Sequence, residues 1–319
     1  MSVRFALTGA SGFVAPRHMN AIKETGNQLV AACDPYDSVG VLDKYFLGAS
    51  FFKEFERFDR HLEKLRRRHE GIDYLSVCSP NYLHDAHIRL AMRLDADAIC
   101  EKPLVLSPWN LDALQELEGE TSRRVHAILQ LRLHPAIQAL RARAAQDTTR
   151  KSIDLTYITT RGPWYFVSWK GQEAQSGGVV TNIGIHFFDM LAWIYGAPRQ
   201  SRVFLRERDK ASGFMELEHA DVRWYLSLDH RDLPDSPREP GHNTHRSVCI
   251  GGEEVEFSDG FTDLHTVSYQ DILAGSGFGI DDARTSIETV HAIRQAKVER
   301  PRADEAHPML WEHRDRAVR

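Results

Sequence analysis

Paired cysteines, long apolar runs and a surplus of basic charge are all missing from this 319-residue chain. The four cysteines, Cys33, Cys78, Cys100 and Cys249, form no CxxC pair, which argues against a structural zinc site. Three of them sit in apolar, strand-like stretches, where a reduced core thiol is the ordinary state. No apolar run suggests a bilayer span. The opening Met1-Ser2-Val3-Arg4-Phe5-Ala6-Leu7 lacks the apolar core and small-residue cleavage site of a secretory signal. Forty Lys plus Arg against forty-five Asp plus Glu leave a net charge of −5. A dedicated nucleic-acid binder needs a basic surface to displace counterions, so that class is disfavoured. The expectation is a cytoplasmic protein with no metal, no nucleic acid and no membrane among its partners.

What is present is a globular balance of 42% hydrophobic and 27% charged residues, in a chain long enough for two domains. The first third alternates short apolar runs with helical periods. The runs are Val3–Thr8, Leu29–Cys33, Tyr74–Cys78, Ala98–Cys100 and Val125–Leu129. The helical periods are Arg17–Glu24, Phe58–Arg68, His84–Leu94 and Leu111–Thr121. Such alternation predicts a doubly wound parallel sheet. After a helix at His134–Ala145 the pattern changes. Strands at Ile153–Thr159, Arg202–Leu205, Phe214–Leu217, Val222–Leu228, Arg246–Ile250 and Val255–Phe257 follow, several with no helix between them. That predicts an open, mostly antiparallel sheet, with helices at Asn182–Tyr195 and Asp281–Ala296. The expected fold class is α/β, with a Rossmann domain at 1–123 and a second α/β domain at 124–319, whose last helix packs back on the first.

Three motifs carry chemistry. Gly9-Ala10-Ser11-Gly12-Phe13-Val14-Ala15 joins the first strand to a helix. Glycines there let backbone approach a pyrophosphate, and the helix start offers N–H donors. Asp34 ends the second strand at the spacing of an acid that binds the adenosine ribose hydroxyls, and its charge would repel a 2′-phosphate. The cofactor expected is therefore NAD rather than NADP; the bland alternative for Asp34 is an Asp-Pro turn starter. Glu101-Lys102-Pro103 follows the fourth strand, where ligands of doubly wound sheets bind. A Lys desolvated there can exchange a proton near neutrality. In Gly177-Gly178 through Asp189, residues Asn182, His186 and Asp189 recur at helical offsets of four and three, so amide, imidazole and carboxylate share one face. With one His and one strong carboxylate, that face makes a poor metal site.

These motifs, with Ser79-Pro80-Asn81-Tyr82-Leu83-His84 and Trp169-Lys170, resemble the Gfo/Idh/MocA oxidoreductases across nearly the whole chain. The resemblance implies a Rossmann domain, an open-sheet second domain, a nicotinamide cofactor and oxidation of a sugar or polyol. It implies cofactor contacts from Gly9, Ser11, Gly12, Phe13, Val14, Asp34, Ser79, Asn81, His84, Glu101, Lys102, Gln130, Trp169 and Lys170. Lys102 is the expected proton-transfer residue and His186 its catalytic partner; the two roles are interchangeable at this stage. Substrate contacts are expected from Lys102, Arg132, Arg161, Tyr165, Asn182 and His186, the cations for a carboxylate and phosphates.

Within the family, the stretches 154–165 and 258–265 look closest to UDP-N-acetylglucosaminuronic acid 3-dehydrogenases, which serve the making of diamino-uronic acids for lipopolysaccharide O-antigen. Two departures stand out. The glycine turn is one residue longer than usual before His18. Asn182 stands where many members carry Asp, and a neutral amide suits a uronic acid because two carboxylates in one pocket repel. The resemblance also implies a homodimer or homotetramer, and some relatives recycle reduced cofactor with 2-oxoglutarate. The alternatives are an inositol or simple-sugar dehydrogenase of the same family and a non-catalytic NAD-binding sensor.

Overall fold

A computed structural model describes residues 2–147, 149–234, 243–255 and 263–318. The chain divides into two units. The first is Met1–Leu133 with Thr262–Arg284, and the second is His134–Phe261 with Thr285–Arg319.

The first unit is built on six strands, β1 Arg4–Thr8, β2 Gln28–Cys33, β3 Ser50–Phe52, β4 Tyr74–Val77, β5 Asp97–Cys100 and β6 Val125–Ala127. They run parallel in the order β3-β2-β1-β4-β5-β6. Phe5, Leu7, Leu75, Val77 and Ile99 are fully buried, because helices cover both faces of a parallel sheet. The strand order reverses at β1 and β4, so the turns after β1 and β4 flank the crevice where such sheets bind ligands. β6 lies beyond the expected boundary at 123, so this unit keeps its sixth strand and reaches Leu133. The segment that returns to it is Thr262–Arg284. Its Leu264–Leu273 helix packs on the Ala15–Glu24 helix, with Tyr269 and Ile272 in the same core as Phe5 and Leu7.

The second unit holds β7 Lys151–Thr159, β8 Pro198–Arg206, β9 Lys210–Leu217, β10 Ala220–Ser227, β11 Thr244–Ile250 and β12 Glu253–Glu254. Their order is β12-β11-β7-β10-β9-β8, antiparallel except where β7 and β10 pair in parallel. Alternation along β10 splits its side chains between two faces. Fully buried Trp224 meets the edge of Phe188 from the Ile185–Tyr195 helix at 5.4 Å between centroids. Tyr225 instead stacks on His307, and the residues flanking His307, Ala306 and Leu310, form a small cluster with Phe204 of β8. Part of the charged tail is thus packed into this unit rather than spread on the surface. Val255 N–H donates to Val248 O, while the rest of the expected strand at 255–257, and 256–262 generally, lie outside the described residues.

Contrary to the expectation of no spanning run, the helical stretch Glu173–Tyr195 is long and apolar enough to cross a membrane. Of its apolar window, 72% is buried inside the protein, as in a core helix. The expected single helix from Asn182 is also subdivided. A π-helical turn at Val180–Gly184 precedes the α-helix Ile185–Tyr195. In the π turn a Cβ on Gly184 would stand 2.7 Å from Leu226 Cδ1 and 2.9 Å from Phe188 Cε2, so the space beside it is already filled.

Candidate active site

In the first unit the Gly9 turn is fixed by sterics. Gly9 has φ +81°, and a Cβ on it would stand 2.4 Å from the Cys78 carbonyl oxygen. Only glycine tolerates both conditions. Gly12 N–H donates to Gly9 O at 3.0 Å, which closes the turn. The Ala15–Glu24 helix then starts with no side-chain cap and no acidic residue in its first turn. Its positive end is left for an anion. Phe13 beside it is 82% exposed, an apolar surface that a bound ligand could cover.

Asp34 is buried at the end of β2, and its two oxygens are set by backbone donors. Oδ2 accepts from Ser11 N–H at 3.0 Å and Oδ1 from Tyr36 N–H at 2.9 Å. A carboxylate has about four lone-pair sites, so each oxygen can still accept from a ribose hydroxyl. The glycine turn and the acid are therefore brought together, with Ser11 as the link. Gln130 lies in the Gln130–Leu133 turn, and its buried Oε1 has no hydrogen-bond partner. This orphaned acceptor, the open helix start and the glycine cradle fit an NAD dinucleotide.

The turns after β4 and β5 are braced by histidines. His84 Nδ1 lies 2.7 Å from Pro103 O and Nε2 lies 2.8 Å from Ser79 O. Burial pulls the His84 imidazole down, while these carbonyls push it up. Ser79 Oγ pairs with His87 Nδ1 at 2.8 Å, and burial drives His87 to about 4. Ser79 and His84, expected as cofactor contacts, thus make bonds that hold the turn bearing Lys102. Asn81 is buried in the same short 3-10 turn.

Glu101 is also buried. Its Oε1 is 3.0 Å from His18 Nε2 and 2.8 Å from His265 Nε2, and its Oε2 accepts from Lys102 N–H at 3.2 Å. Burial alone would raise Glu101, but the two imidazole hydrogen bonds outweigh it and hold the carboxyl well below its ordinary range. Arg132, expected to meet substrate, is buried and engaged within this unit. It donates to Asp282 O at 2.7 Å and Oδ1 at 3.3 Å, and lies over the Phe278 ring.

In the second unit, Arg161, Tyr165, Lys170 and Asn182 gather. Asn182 Nδ2 donates to Tyr165 Oη at 2.7 Å. Lys170 Nζ lies 5.5 Å and 5.8 Å from the Trp164 and Trp169 ring centres, a cation–π setting. Burial, then the charge of Arg161, lowers the Lys170 ammonium below its ordinary value. Arg161 also spends one N–H on Thr160 O. A cleft of about 330 Å³ adjoins this group, lined by Tyr165, Lys170, Gly177, Gly178, Arg206 and Arg208 among others. His186 is half-buried and Asp189 is buried on the Ile185–Tyr195 helix.

Sequence reasoning missed His265 and Tyr269. Both lie far along the chain from Glu101, and their only local signal is a polar pair four residues apart on one helical face.

Residues 3–129 match the oxidoreductase family GFO_IDH_MocA, NAD-binding Rossmann fold, and residues 151–233 match its C-terminal alpha/beta domain. The WlbA (WbpB) dehydrogenase of Thermus thermophilus, solved in complex with NAD and UDP-GlcNAcA, is 50% identical, with 96% of this chain and 99% of that chain covered and a TM-score of 0.93. The same enzyme, solved with NAD and alpha-ketoglutarate, superposes with a TM-score of 0.94 at 51% identity and the same coverage. The WlbA dehydrogenase of Bordetella pertussis, at 19% identity and TM-score 0.75, shares the fold. Among curated relatives, D-glucoside 3-dehydrogenase of Escherichia coli is 28% identical over 40% of this chain and 36% of its own length. Inositol 2-dehydrogenase of Rhizobium meliloti is 25% identical over 61% of this chain. The match spans 56% of the inositol enzyme, so this chain aligns with only part of either curated relative.

Proposed function

The chain belongs to the Gfo/Idh/MocA oxidoreductases, and from that membership we propose that it is an NAD-dependent dehydrogenase that oxidises the C3′ hydroxyl of UDP-N-acetylglucosaminuronic acid to the 3-keto sugar. The observation that carries this reading is the 50% identity, over 99% of its length, to a dehydrogenase solved with NAD and UDP-GlcNAcA. The product would feed the making of diamino-uronic acids for lipopolysaccharide O-antigen, in the cytoplasm.

NAD, when bound, supplies the hydride acceptor. The residues that would hold it are the turn at Gly9, Ser11, Gly12, Phe13 and Val14, then Asp34, Asn81 and Gln130. Trp169 and Lys170 are the further cofactor contacts that the family resemblance implies.

Loss of hydride from C3′ without loss of the hydroxyl proton would leave a protonated ketone, so a base is required. Lys102 takes that proton, with His186 as its partner. Asn182, oriented by Tyr165, grips the sugar, while Arg161 and Lys170 offer positive charge to the uronate carboxylate and the diphosphate. The alpha-ketoglutarate bound by the Thermus enzyme supports a return half-reaction in which a 2-oxo acid gains two electrons and two protons to become a 2-hydroxy acid. The protein acts as a homodimer or homotetramer joined through its second-unit sheet.

The test is turnover of UDP-N-acetylglucosaminuronic acid by wild type, Lys102→Ala and His186→Asn. A positioned base is worth about 100- to 10,000-fold in rate, so Lys102→Ala should lose that much while NAD affinity holds. Near-full turnover by both variants would remove the proposed site. A myo-inositol dehydrogenase would reduce NAD with the free polyol, and a sensor would bind NAD and leave it oxidised.

A further inference from the structure

The turn that carries Lys102 also carries a buried carboxylate that the hydride chemistry leaves without a role. Glu101 is 6% exposed, and two imidazoles from distant segments meet on its Oε1. His18 comes from the Ala15–Glu24 helix and His265 from the Leu264–Leu273 helix, 164 residues away in sequence. Glu101 Oε2 meanwhile accepts the amide of Lys102.

The protons of this cluster can be counted. An ionised carboxylate only accepts, so both Nε2 atoms must carry hydrogen. His18 is buried, and burial lowers its imidazole, which leaves it neutral with a lone pair at Nδ1. That nitrogen lies 2.8 Å from Tyr269 Oη, so Tyr269 donates. The phenol oxygen in turn accepts from Ser76 Oγ at 2.6 Å. One consistent direction runs from Ser76 through Tyr269 and His18 to Glu101, and two N–H donors converging on Oε1 favour the charged carboxylate.

The ligand atoms of His18, Glu101 and His265 lie within 4.8 Å of one another, a set that would also interest a divalent metal. Both imidazoles, however, aim at a single carboxylate oxygen at hydrogen-bond distance, and the protons satisfy every group named. The other titratable neighbours of Glu101 are Cys78, Cys100, Tyr269 and His84. Burial holds both thiols and the phenol well above their usual values, so they stay neutral near pH 7. Arg17 faces His18 from the same helix.

We propose that His18 and His265 are positioning residues that act through Glu101 on Lys102, fixing the amide of the catalytic lysine and keeping a negative charge beside it. This rests on the reading of Lys102 as the proton-transfer residue. Loss of one imidazole removes a donor from a buried carboxylate, which then gains a proton or turns away. Lys102 loses its backbone anchor and a charge that favours its ammonium form. Turnover therefore falls, and the pH limb set by Lys102 moves to lower pH.

The test compares kcat, KM and their pH profiles for wild type, His265→Ala, His265→Gln, His18→Gln and Lys102→Ala, each with NAD affinity and thermal midpoint measured. Misplacement of a reacting group by about 1 Å costs up to roughly 100-fold. His265→Ala should thus lower kcat by about 10- to 100-fold at unchanged NAD affinity, and shift the pH limb downward. His265→Gln, which keeps an N–H donor, should recover most of the rate. Folded His265→Ala and His18→Gln proteins with wild-type kcat and an unshifted limb would overturn the inference. So would a stoichiometric metal in the purified enzyme whose removal abolishes turnover. Full turnover by Lys102→Ala would instead overturn the reading of Lys102 itself, so the two failures are distinguishable.

Discussion

Asn182 donates its side-chain amide to the Tyr165 hydroxyl at 2.7 Å, and this bond helps set the orientation of the neutral Asn182 amide. The Tyr165 phenol is buried, and burial raises it, so it stays neutral. Asn182→Asp would place a carboxylate beside Tyr165, in the proposed substrate site. Its repulsion of a uronate should raise KM for UDP-N-acetylglucosaminuronic acid far more than KM for the uncharged UDP-N-acetylglucosamine. Equal effects on the two sugars would separate Asn182 from the carboxylate. Tyr165→Phe should raise KM by about fivefold through loss of one hydrogen bond.

Selection of NAD over NADP is the role proposed for Asp34. Its oxygens are already held by the Ser11 and Tyr36 amides, which stiffens the carboxylate. Asp34→Ser should weaken NAD and relax discrimination against NADP, because the change removes both an acceptor and a repulsive charge. Titration of each dinucleotide checks this; equal wild-type affinity for NADP and NAD would show that Asp34 does not select.

A buried ion cluster ties the second-unit sheet to the loop after β10. Lys210 Nζ lies 2.8 Å from both Asp229 Oδ2 and Asp232 Oδ2, and Asp232 Oδ2 also accepts from Ser227 Oγ at 2.6 Å. Lys210→Ala would leave two buried carboxylates without their shared cation, a loss of about 3–5 kcal/mol by denaturant unfolding. Burial alone would raise Asp229, but hydrogen bonds from Arg231 and Lys210 hold it below the usual carboxylate range. Its folded pKa is therefore depressed. The stabilisation is full above about pH 4 and disappears as pH falls below that.

A second acid-sensitive element is His307. Its Nε2 lies 3.0 Å from Thr156 Oγ1, and its Nδ1 accepts from Met309 N–H at 3.2 Å, a neutral pairing. Burial pushes His307 to about 4. With the folded pKa below the unfolded value of about 6.5, its contribution is present above pH 6.5 and is lost as pH falls toward 4. The urea midpoint of wild type should decline through that window. His307→Asn should flatten the decline, and an unchanged slope would assign the acid sensitivity to other groups, His87 first.

The parts legible in sequence were those written in local spacing. Gly9, Gly12 and Asp34 are read from one strand–turn–helix–strand unit, and Glu101-Lys102-Pro103 from its place after a strand. The short edge strand Ser50–Phe52 escaped because three residues carry no period. The parallel pairing of β7 with β10 escaped because strand sequences state no partner. For Arg132, expected as a substrate cation, local spacing does not state the guanidinium's bond to Asp282, 150 residues on. The same blindness to distant pairs hid His265 and Tyr269, whose meaning appears only when the Leu264–Leu273 helix packs on the Ala15–Glu24 helix.

The central claim is hydride loss from C3′ of a UDP-linked uronic acid, and an isotope experiment tests it most directly. UDP-N-acetylglucosaminuronic acid deuterated at C3′ would be incubated with the enzyme, NAD and 2-oxoglutarate, and the products followed by mass spectrometry. The account predicts a 3-keto sugar that has lost its deuterium, with the label recovered in reduced cofactor or in 2-hydroxyglutarate. Deuterium retained in unreacted sugar, while the same enzyme reduces NAD with myo-inositol, would contradict it.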